Sequence, residues 1–233
     1  MLFRQLFESE SSAYTYLIAC EDSRRAALID PVLETVDRDL KLLADLGLSL
    51  EYTIETHIHA DHVTGAARLR ELTGSKAAVP DKSGADHVDL PVREGEPIVV
   101  GGCRLNPLYT PGHTDDHYSY FLDWPGAARV FTGDALLIDG CGRTDFQNGD
   151  AATLYRSVHD KIFSLPDETL VYPGHDYQHR HVSSVGQERE RNPRLGGGRT
   201  VEEFIAIMVG LNLPRPKMMD VAVPANRECG EIG

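Results

Sequence analysis

The chain has 233 residues, and its 36 acidic and 23 basic side chains give a formal charge of −13. This length suits one large domain or two small ones, and we interpret residues 1–233 as a single domain. A chain this acidic is not expected to bind nucleic acid or an anionic membrane through its overall field. Its 41% hydrophobic and 25% charged residues are typical of a globular protein and exclude a disordered one.

The cysteines and the N-terminus indicate the compartment. The four cysteines lie far apart with no CxxC pair, which excludes a disulfide scaffold or a zinc ribbon and fits a reducing environment. No apolar run approaches the ~20 residues that a membrane span requires. The N-terminal residues lack the basic and then apolar pattern of a signal peptide. We therefore expect a cytoplasmic protein.

In the first half of the chain, strand-like and helix-like segments alternate. Strands are predicted over residues 13–19, 26–29, 50–56 and 76–79. An apolar stripe from Val36 to Leu46 predicts a helix that ends at Gly47, and Thr64 is expected to cap a helix that reaches Leu72 and ends at Gly74. Residues 81–97 are polar and are predicted to form a loop.

The second half begins with consecutive strands, predicted over residues 105–109, 117–122 and 129–132. Asp150 is expected to cap a helix that ends before Pro166, and residues 170–172 form a further predicted strand. Thr200 and Glu203 predict a capping box, and the tail from Pro214 is expected to be irregular. This order favours an α+β fold with two sheets and helices outside them over one doubly wound sheet.

The segment Thr-His-Ile-His-Ala-Asp-His, residues 56–62, places four metal-binding side chains within six residues. It directly follows a predicted strand, and on an extended backbone residues i and i+2 face the same way. His57 and His59 can therefore point at one centre, while Asp61 and His62 can reach a neighbouring point.

Three further candidates, His113, Asp134 and His175, each follow a β-type run and a glycine that lets the backbone turn. Imidazole and carboxylate together suit zinc, iron or manganese, so the sequence predicts a metal site. The remaining histidines are expected to be ordinary surface or supporting residues: His87, His117, His159, His179 and His181.

The order and spacing of these seven residues resemble the metallo-β-lactamase superfamily. The resemblance implies an αββα sandwich of two mixed sheets with helices outside and with the metal site along one edge. It does not by itself fix the reaction, because one fold supports many activities.

A finer resemblance covers nearly the whole chain. It comes from Thr-Gly-Asp at residues 132–134, Gly-Cys-Gly-Arg-Thr-Asp-Phe-Gln at 140–147, Tyr-Pro-Gly-His-Asp-Tyr at 172–177 and Val-Pro-Ala-Asn at 223–226. These segments are similar to the persulfide dioxygenases. The rival, a glyoxalase II-like hydroxyacylglutathione hydrolase, shares the seven positions. It usually has Phe-Phe-Glu-Gly after the shared Gly-Cys-Gly-Arg element, and it has a longer basic C-terminal region that this chain lacks.

The persulfide dioxygenase resemblance implies one Fe(II) per chain, bound by His57, His113 and Asp134, with about three positions open for persulfide sulfur and O2. It implies oxidation of glutathione persulfide with O2 and water to sulfite and glutathione. The remaining candidates would then orient water, oxygen or the metal-binding residues through hydrogen bonds: His59, Asp61, His62 and His175.

The substrate implied by this resemblance is an anion, and the chain itself is acidic, so local groups must fix the substrate. Arg143 is the candidate for a carboxylate and Tyr177 offers a hydroxyl, although an ion pair with Asp145 and simple packing are the structural alternatives. Cys141, between two glycines, is interpreted as a small residue in a tight turn and not as a nucleophile.

Two other functions stay open on the sequence. One is the thioester hydrolase with a zinc or mixed dinuclear site. The other is a non-catalytic carrier of metal or persulfide, which the complete set of candidate ligands disfavours. The resemblance also allows a homodimer, which no sequence feature requires.

Overall fold

The computed structural model describes residues 1–231 and contains two six-stranded sheets. The first sheet is formed by β1 (Leu2–Phe7), β2 (Tyr14–Ala19), β3 (Arg25–Ile29), β4 (Ser49–Ile54), β5 (Lys76–Pro80) and β6 (Leu90–Val92). The second sheet is formed by β7 (Ile98–Val100), β8 (Cys103–Tyr109), β9 (Tyr118–Leu122), β10 (Arg129–Gly133), β11 (Leu170–Pro173) and β12 (Ser183–Ser184).

Both sheets are mixed. In the first sheet the strands lie in chain order, with β1 to β3 antiparallel and β3 to β6 parallel. In the second sheet the order is β12-β11-β10-β9-β8-β7, and only β10 and β11 are parallel. The parallel pairs matter for the site because their carboxyl ends meet at one edge of each sheet.

Six α-helices cover the outer faces of the sheets. They are α1 (Val36–Asp45), α2 (Ala66–Thr73), α3 (Ala151–Ser157), α4 (Val185–Arg191), α5 (Val201–Val209) and α6 (Met219–Arg227). Buried side chains of both sheets, including Tyr16, Tyr120 and Phe131, form one core between them. A second core joins the first sheet to α1 and α2, and a third joins the second sheet to α3, α4 and α5. This layering confirms the αββα sandwich.

Most predicted elements are present, but several segments differ from the sequence analysis, among them β12 and α4, which were not predicted. Residues 2–7 form an edge strand that was not predicted, paired with β2. The predicted loop 81–97 contains the short strand β6, which lies beside β5. The tail, predicted to be irregular, contains α6, even though Pro224 lies inside this helix and lacks the backbone N–H of a regular turn.

Tertiary packing explains these differences. Strand β1 is only partly buried at the edge of the sheet, so its sequence does not alternate strictly between apolar and polar residues. Its extended conformation is stabilised by antiparallel pairing with β2. In α6, Ala222 and Asn226 are buried against the rest of the molecule. Burial of one helix face outweighs the cost of an internal proline, which a propensity argument alone does not anticipate.

Glycines and caps define several helix boundaries as expected. Gly74 adopts a left-handed conformation (φ 73°) and ends α2, whereas α2 begins at Ala66, two residues after the expected cap Thr64. The Asp150 side chain accepts a hydrogen bond from the Thr153 backbone N–H and caps α3. This helix continues as a π-helical turn over Val158–Ile162. Within residues 1–231, no helix combines the length and the apolar character that a membrane crossing requires.

The capping box of α5 gives a stability prediction. The Thr200 hydroxyl accepts from the Glu203 N–H at 3.3 Å, and the Glu203 carboxylate accepts from the Thr200 N–H at 2.8 Å. We expect Thr200→Ala to lower the free energy of unfolding by about 1 kcal/mol, measured by chemical denaturation, because one N–H of the first turn loses its partner. Glu203→Gln is the control, since glutamine also serves in this motif. An unchanged stability of Thr200→Ala would contradict the assignment.

Candidate metal centre

The seven candidate residues lie on loops at the carboxyl ends of strands in both sheets. The segment 56–62 follows β4, His113 follows β8, Asp134 follows β10 and His175 follows β11. Two close approaches explain the glycines next to them. A Cβ on Gly133, whose φ is +48°, would lie 2.6 Å from His117 Nε2, and a Cβ on Gly142 would lie 2.6 Å from His113 Nδ1. Only glycine leaves room for the imidazoles at these positions.

His57, His113 and Asp134 come together as the sequence analysis proposed. One possible ligand atom from each of them lies within 4.8 Å of the others. His113 Nε2 is 3.5 Å from Asp134 Oδ2, and the rings of His57 and His113 meet edge-on with centroids 4.9 Å apart. Two imidazoles and one carboxylate at these separations match the donor set of a facial triad for a divalent metal.

The protein fixes which nitrogen of each histidine is free to bind a metal. His113 Nδ1 donates to the backbone carbonyl of Arg143 at 2.7 Å. Thr56 Oγ1 donates to Asp30 Oδ2, so it accepts a hydrogen bond from His57 Nδ1 at 2.9 Å. Both rings therefore carry their proton on Nδ1 and leave Nε2 as the ligand atom. Burial keeps the pKa of His57 well below its ordinary value, which maintains the neutral form that binds metal.

Asp134 is held at both its side chain and its backbone. Its Oδ1 accepts from His175 Nδ1 at 2.7 Å, and its N–H donates to His117 Nε2 at 3.1 Å. Burial opposes its negative charge, but His175 and His113 hold the pKa of this carboxyl below its ordinary value. Asp134 is therefore ionised, with Oδ2 on the side of His113.

His117 is a supporting residue whose place the sequence analysis did not specify. It is fully buried, and burial lowers its pKa to about 3, so the ring is neutral. Because Nε2 accepts from Asp134, the proton is on Nδ1, which donates to Thr110 Oγ1 at 3.0 Å. The ring also stacks on His57 with centroids 5.0 Å apart. Its position at the start of a buried strand four residues after His113 is the signal that could have identified it.

The other four candidates form a second cluster beside the triad. Ligand atoms of His59, Asp61 and His62 lie within 4.8 Å of one another. Asp61 Oδ2 accepts from His62 Nδ1 at 3.0 Å and from His175 Nε2 at 2.9 Å. His175 thus donates to Asp61 and Asp134 at once. Although burial opposes its charge, these two carboxylates raise the pKa of His175 well above its ordinary value.

Two buried acids that the sequence analysis missed surround His59. His59 Nε2 lies 3.1 Å from Asp30 Oδ1 and 3.4 Å from Glu55 Oε2. Burial opposes a charge on His59, but Asp30 and Glu55 raise its pKa well above the ordinary value. His59 Nε2 thus shares a hydrogen bond with Asp30 and faces Glu55 Oε2 without a hydrogen bond to it. An acidic residue directly after a buried strand was the available signal.

The two predicted substrate residues lie at the rim of the centre. The Arg143 guanidinium donates to Asp145 at 2.6 and 2.8 Å and to the Pro214 carbonyl at 2.7 Å. Tyr177 is 73% exposed, and its ring is stacked beside His175 with centroids 6.2 Å apart. The role of both residues in substrate binding stays a prediction. Cys141 is buried and burial raises its pKa to about 11, which suits packing and not nucleophilic attack.

The Thr-Asp-Phe-Gln element, residues 144–147, also contacts the loop of residues 56–64 that follows β4, here called the metal-binding loop. Gln147 Nε2 donates to the carbonyl of Ile58 at 2.7 Å, and Asp116 Oδ2 accepts from the Ile58 N–H at 2.9 Å. The peptide groups between His57 and His59 are therefore fixed from two sides. Residues 144–147, which distinguish the persulfide dioxygenase resemblance from the hydrolase resemblance, therefore contact the loop that carries His57 and His59.

Comparison with known proteins decides the family. Residues 10–175 match the family model described as the metallo-beta-lactamase superfamily. Persulfide dioxygenase ETHE1, mitochondrial, from Mus musculus is 52% identical over 231 residues, which cover 99% of this chain and 89% of that protein. The chain belongs to the persulfide dioxygenase family. Its human relative of the same name is 51% identical with the same coverage.

Solved structures agree with this membership. The crystal structure of ETHE1 from Myxococcus xanthus is 56% identical, covers 99% of this chain and 100% of that one, and superposes with a TM-score of 0.95. By contrast, a probable hydroxyacylglutathione hydrolase of Schizosaccharomyces pombe is 33% identical over 83% of this chain and 76% of its own length. Both family resemblances seen in the sequence are therefore confirmed.

The triad gives a direct prediction for metal content. We expect Asp134→Ala to lose nearly all bound metal, because it removes the one anionic donor of the three and the partner of His175 Nδ1. Elemental analysis of the purified protein measures this loss. Asp123→Ala, which removes an exposed carboxylate at the end of β9 opposite to His117, is the control and should keep full content. Full metal content in Asp134→Ala would show that the assignment of ligands is wrong.

Proposed function

We propose that this chain is an iron-dependent persulfide dioxygenase that oxidises glutathione persulfide. The reaction consumes one glutathione persulfide, one O2 and one water and yields glutathione, sulfite and two protons. The observation that carries the proposal is the triad of His57, His113 and Asp134, with both imidazole Nε2 atoms free, in a chain about 51% identical to persulfide dioxygenases over its full length.

The donor set favours iron over zinc. Two imidazoles and one carboxylate on one face of a metal leave the opposite positions open, an arrangement typical of non-haem Fe(II) oxygenases. Fe(II) in such a site supplies the redox chemistry that joins persulfide sulfur to O2, which zinc lacks. We propose one such ion per chain.

The protein's own residues hold the ligands and the protons. His57 and His113 would hold the ion through Nε2 and Asp134 through its carboxylate. His175 holds protons at Nδ1 and Nε2 between Asp134 and Asp61. Although burial opposes its charge, His62 and His175 hold the pKa of Asp61 well below its ordinary value, so Asp61 stays ionised and fixes the orientation of the His175 ring.

The rim residues supply the contacts to the glutathione part. Because the net charge of −13 does not attract an anion, substrate must be bound by individual groups. Arg143 can exchange Asp145 for a substrate carboxylate, since a guanidinium binds either one through two hydrogen bonds. The exposed hydroxyl of Tyr177 offers a further donor beside His175.

The second candidate function is a thioester hydrolase with two metal ions. The cluster of His59, Asp61 and His62, with ligand atoms within 4.8 Å beside the triad, is the observation that favours it. His62 Nε2 and His59 Nδ1 are buried and have no hydrogen-bond partner among the described residues. Two zinc ions per chain and rapid hydrolysis of a glutathione thioester would support this function over the first.

Oxygen uptake tests the leading proposal. Protein loaded anaerobically with Fe(II) should consume one O2 for each sulfite formed when glutathione persulfide is added, measured with an oxygen electrode and by sulfite assay. Protein loaded with Zn(II) is the control and should be inactive, because zinc has no accessible redox change. Hydrolysis of a glutathione thioester without oxygen uptake by the iron form would reject the proposal.

Arg143 gives a kinetic prediction. We expect Arg143→Ala to raise KM about 10- to 100-fold and to change kcat less, because a charge-assisted contact to the substrate is worth roughly 1.5–3 kcal/mol. Tyr177→Phe is a matched comparison that removes one hydroxyl and keeps the ring. Steady-state kinetics of the iron-loaded variants measure both effects, and unchanged constants in Arg143→Ala would reject its role in substrate binding.

A homodimer, a single-domain organisation and a cytoplasmic location stay predictions. The mouse and human relatives carry the description mitochondrial.

A further inference from the structure

Asn226, in the C-terminal helix α6, contacts the loop that carries the metal-binding candidates. Its side chain is buried, with 3% of the residue exposed. Its Oδ1 accepts from the Thr64 N–H at 2.8 Å. Its Nδ2 donates to the carbonyls of His59 and His62, each at 2.9 Å. One side chain from the end of the chain thus makes three hydrogen bonds to the backbone between residues 59 and 64.

The chemistry of these contacts requires a planar amide. The loop presents two carbonyl acceptors and one N–H donor to the same buried point, and an amide offers two N–H donors and one oxygen in fixed geometry. Asparagine and glutamine are the side chains with this combination, and the shorter one fits a helix packed directly on the loop. An apolar residue at position 226 would leave three buried backbone groups without these partners, which destabilises the loop.

The end of α6, which carries Asn226, is held by backbone hydrogen bonds to other parts of the fold. The backbone carbonyl of Cys229 accepts from the Ala67 N–H at 3.0 Å, and the carbonyl of Arg227 accepts from the Asp86 N–H at 2.7 Å. The end of α6 is therefore attached to α2 and to the segment before β6 by bonds that involve no candidate ligand. The position of the amide is set by the fold and not by the metal.

The two halves of the metal-binding loop are held by different side chains. Gln147 and Asp116 bond the peptide groups of Ile58, which follow the ligand His57. Asn226 bonds the later half, from His59 onward. The His59 ring packs against the His57 ring with centroids 4.2 Å apart, so a shift of the later half changes the surroundings of the ligand itself.

We propose that Asn226 is a positioning residue of the metal centre, and that α6 is thereby a part of that centre. Its amide sets the backbone from His59 to Thr64 and, through His59, the orientation of His57. The proposal rests on the metal centre described under the proposed function, but it does not depend on which reaction occurs there.

The Fe(II) affinity of the full chain tests this role. Dissociation constants are measured anaerobically by competition with a chelator for the wild type, Asn226→Ala, Asn226→Asp and Ala222→Gly. We expect Asn226→Ala to weaken Fe(II) binding by about 10- to 100-fold, the range seen when partners of metal ligands are removed. Asn226→Asp keeps the shape and the acceptor for Thr64 but loses the two N–H donors, and it should weaken binding about tenfold.

The control separates positioning from stability. Ala222 is a buried residue of α6 that makes no side-chain hydrogen bond, and Ala222→Gly weakens the helix because glycine has a low helix propensity. Its thermal unfolding temperature should fall while its Fe(II) affinity stays within about twofold of wild type. If Asn226→Ala does not fold, Asn226→Asp decides the question.

Two results would overturn the proposal. They are wild-type affinity in the folded Asn226 variants, and an equal loss of affinity in Ala222→Gly. Failure of the wild type to bind Fe(II) would overturn the proposed function and this inference together. Tight Fe(II) binding by the wild type with either of the two results above would overturn this inference alone.

Discussion

The centre depends on hydrogen bonds that lie behind the metal-binding atoms. An imidazole binds a metal through one nitrogen only when the other carries the proton, and here the Arg143 carbonyl and the Thr56 hydroxyl fix that choice for His113 and His57. Asp134 is oriented in the same way by His175. Without these partners the three donors would rotate freely, and bringing them together would cost conformational entropy on each binding event. The buried polar network therefore supplies an arrangement prepared before the metal arrives.

The fold provides the places from which these partners act. Because β10 and β11 are parallel neighbours, Asp134 and His175 follow strand ends that lie side by side. The segment after β4 belongs to the other sheet and meets them across the core between the sheets. Strand ends are rigid, and the loops beyond them carry the chemistry, so family members can differ in reaction while their metal ligands stay in place.

How far the sequence predicts this molecule depends on the range of the interactions. Most strands, the capping box at Thr200 and the seven candidates could be predicted because periodicity, caps and clustered ligands are local signals. The partners of Asp30, His117 and Asn226 could not be assigned, since each acts on residues that only the tertiary structure brings near. Helix α6 could not be predicted for the same reason. Its internal proline and irregular composition indicate a non-helical segment, whereas the helix is stabilised by burial of one face against the rest of the molecule. Arg143 shows a third case: the sequence analysis offered Asp145 as its alternative partner, whereas the contact of the Arg143 carbonyl with His113 was visible only in the structure.

The placement of the ligands on both sheets has a mechanical consequence. His57 follows a strand of the first sheet, whereas His113 and Asp134 follow strands of the second, so an ion held by these three residues would join the two layers. Its coordination energy would oppose separation of the layers more than fraying within either of them. Such an ion would act as a cross-link between the two halves of the molecule, comparable in effect to a disulfide, but reversible and dependent on the supply of metal.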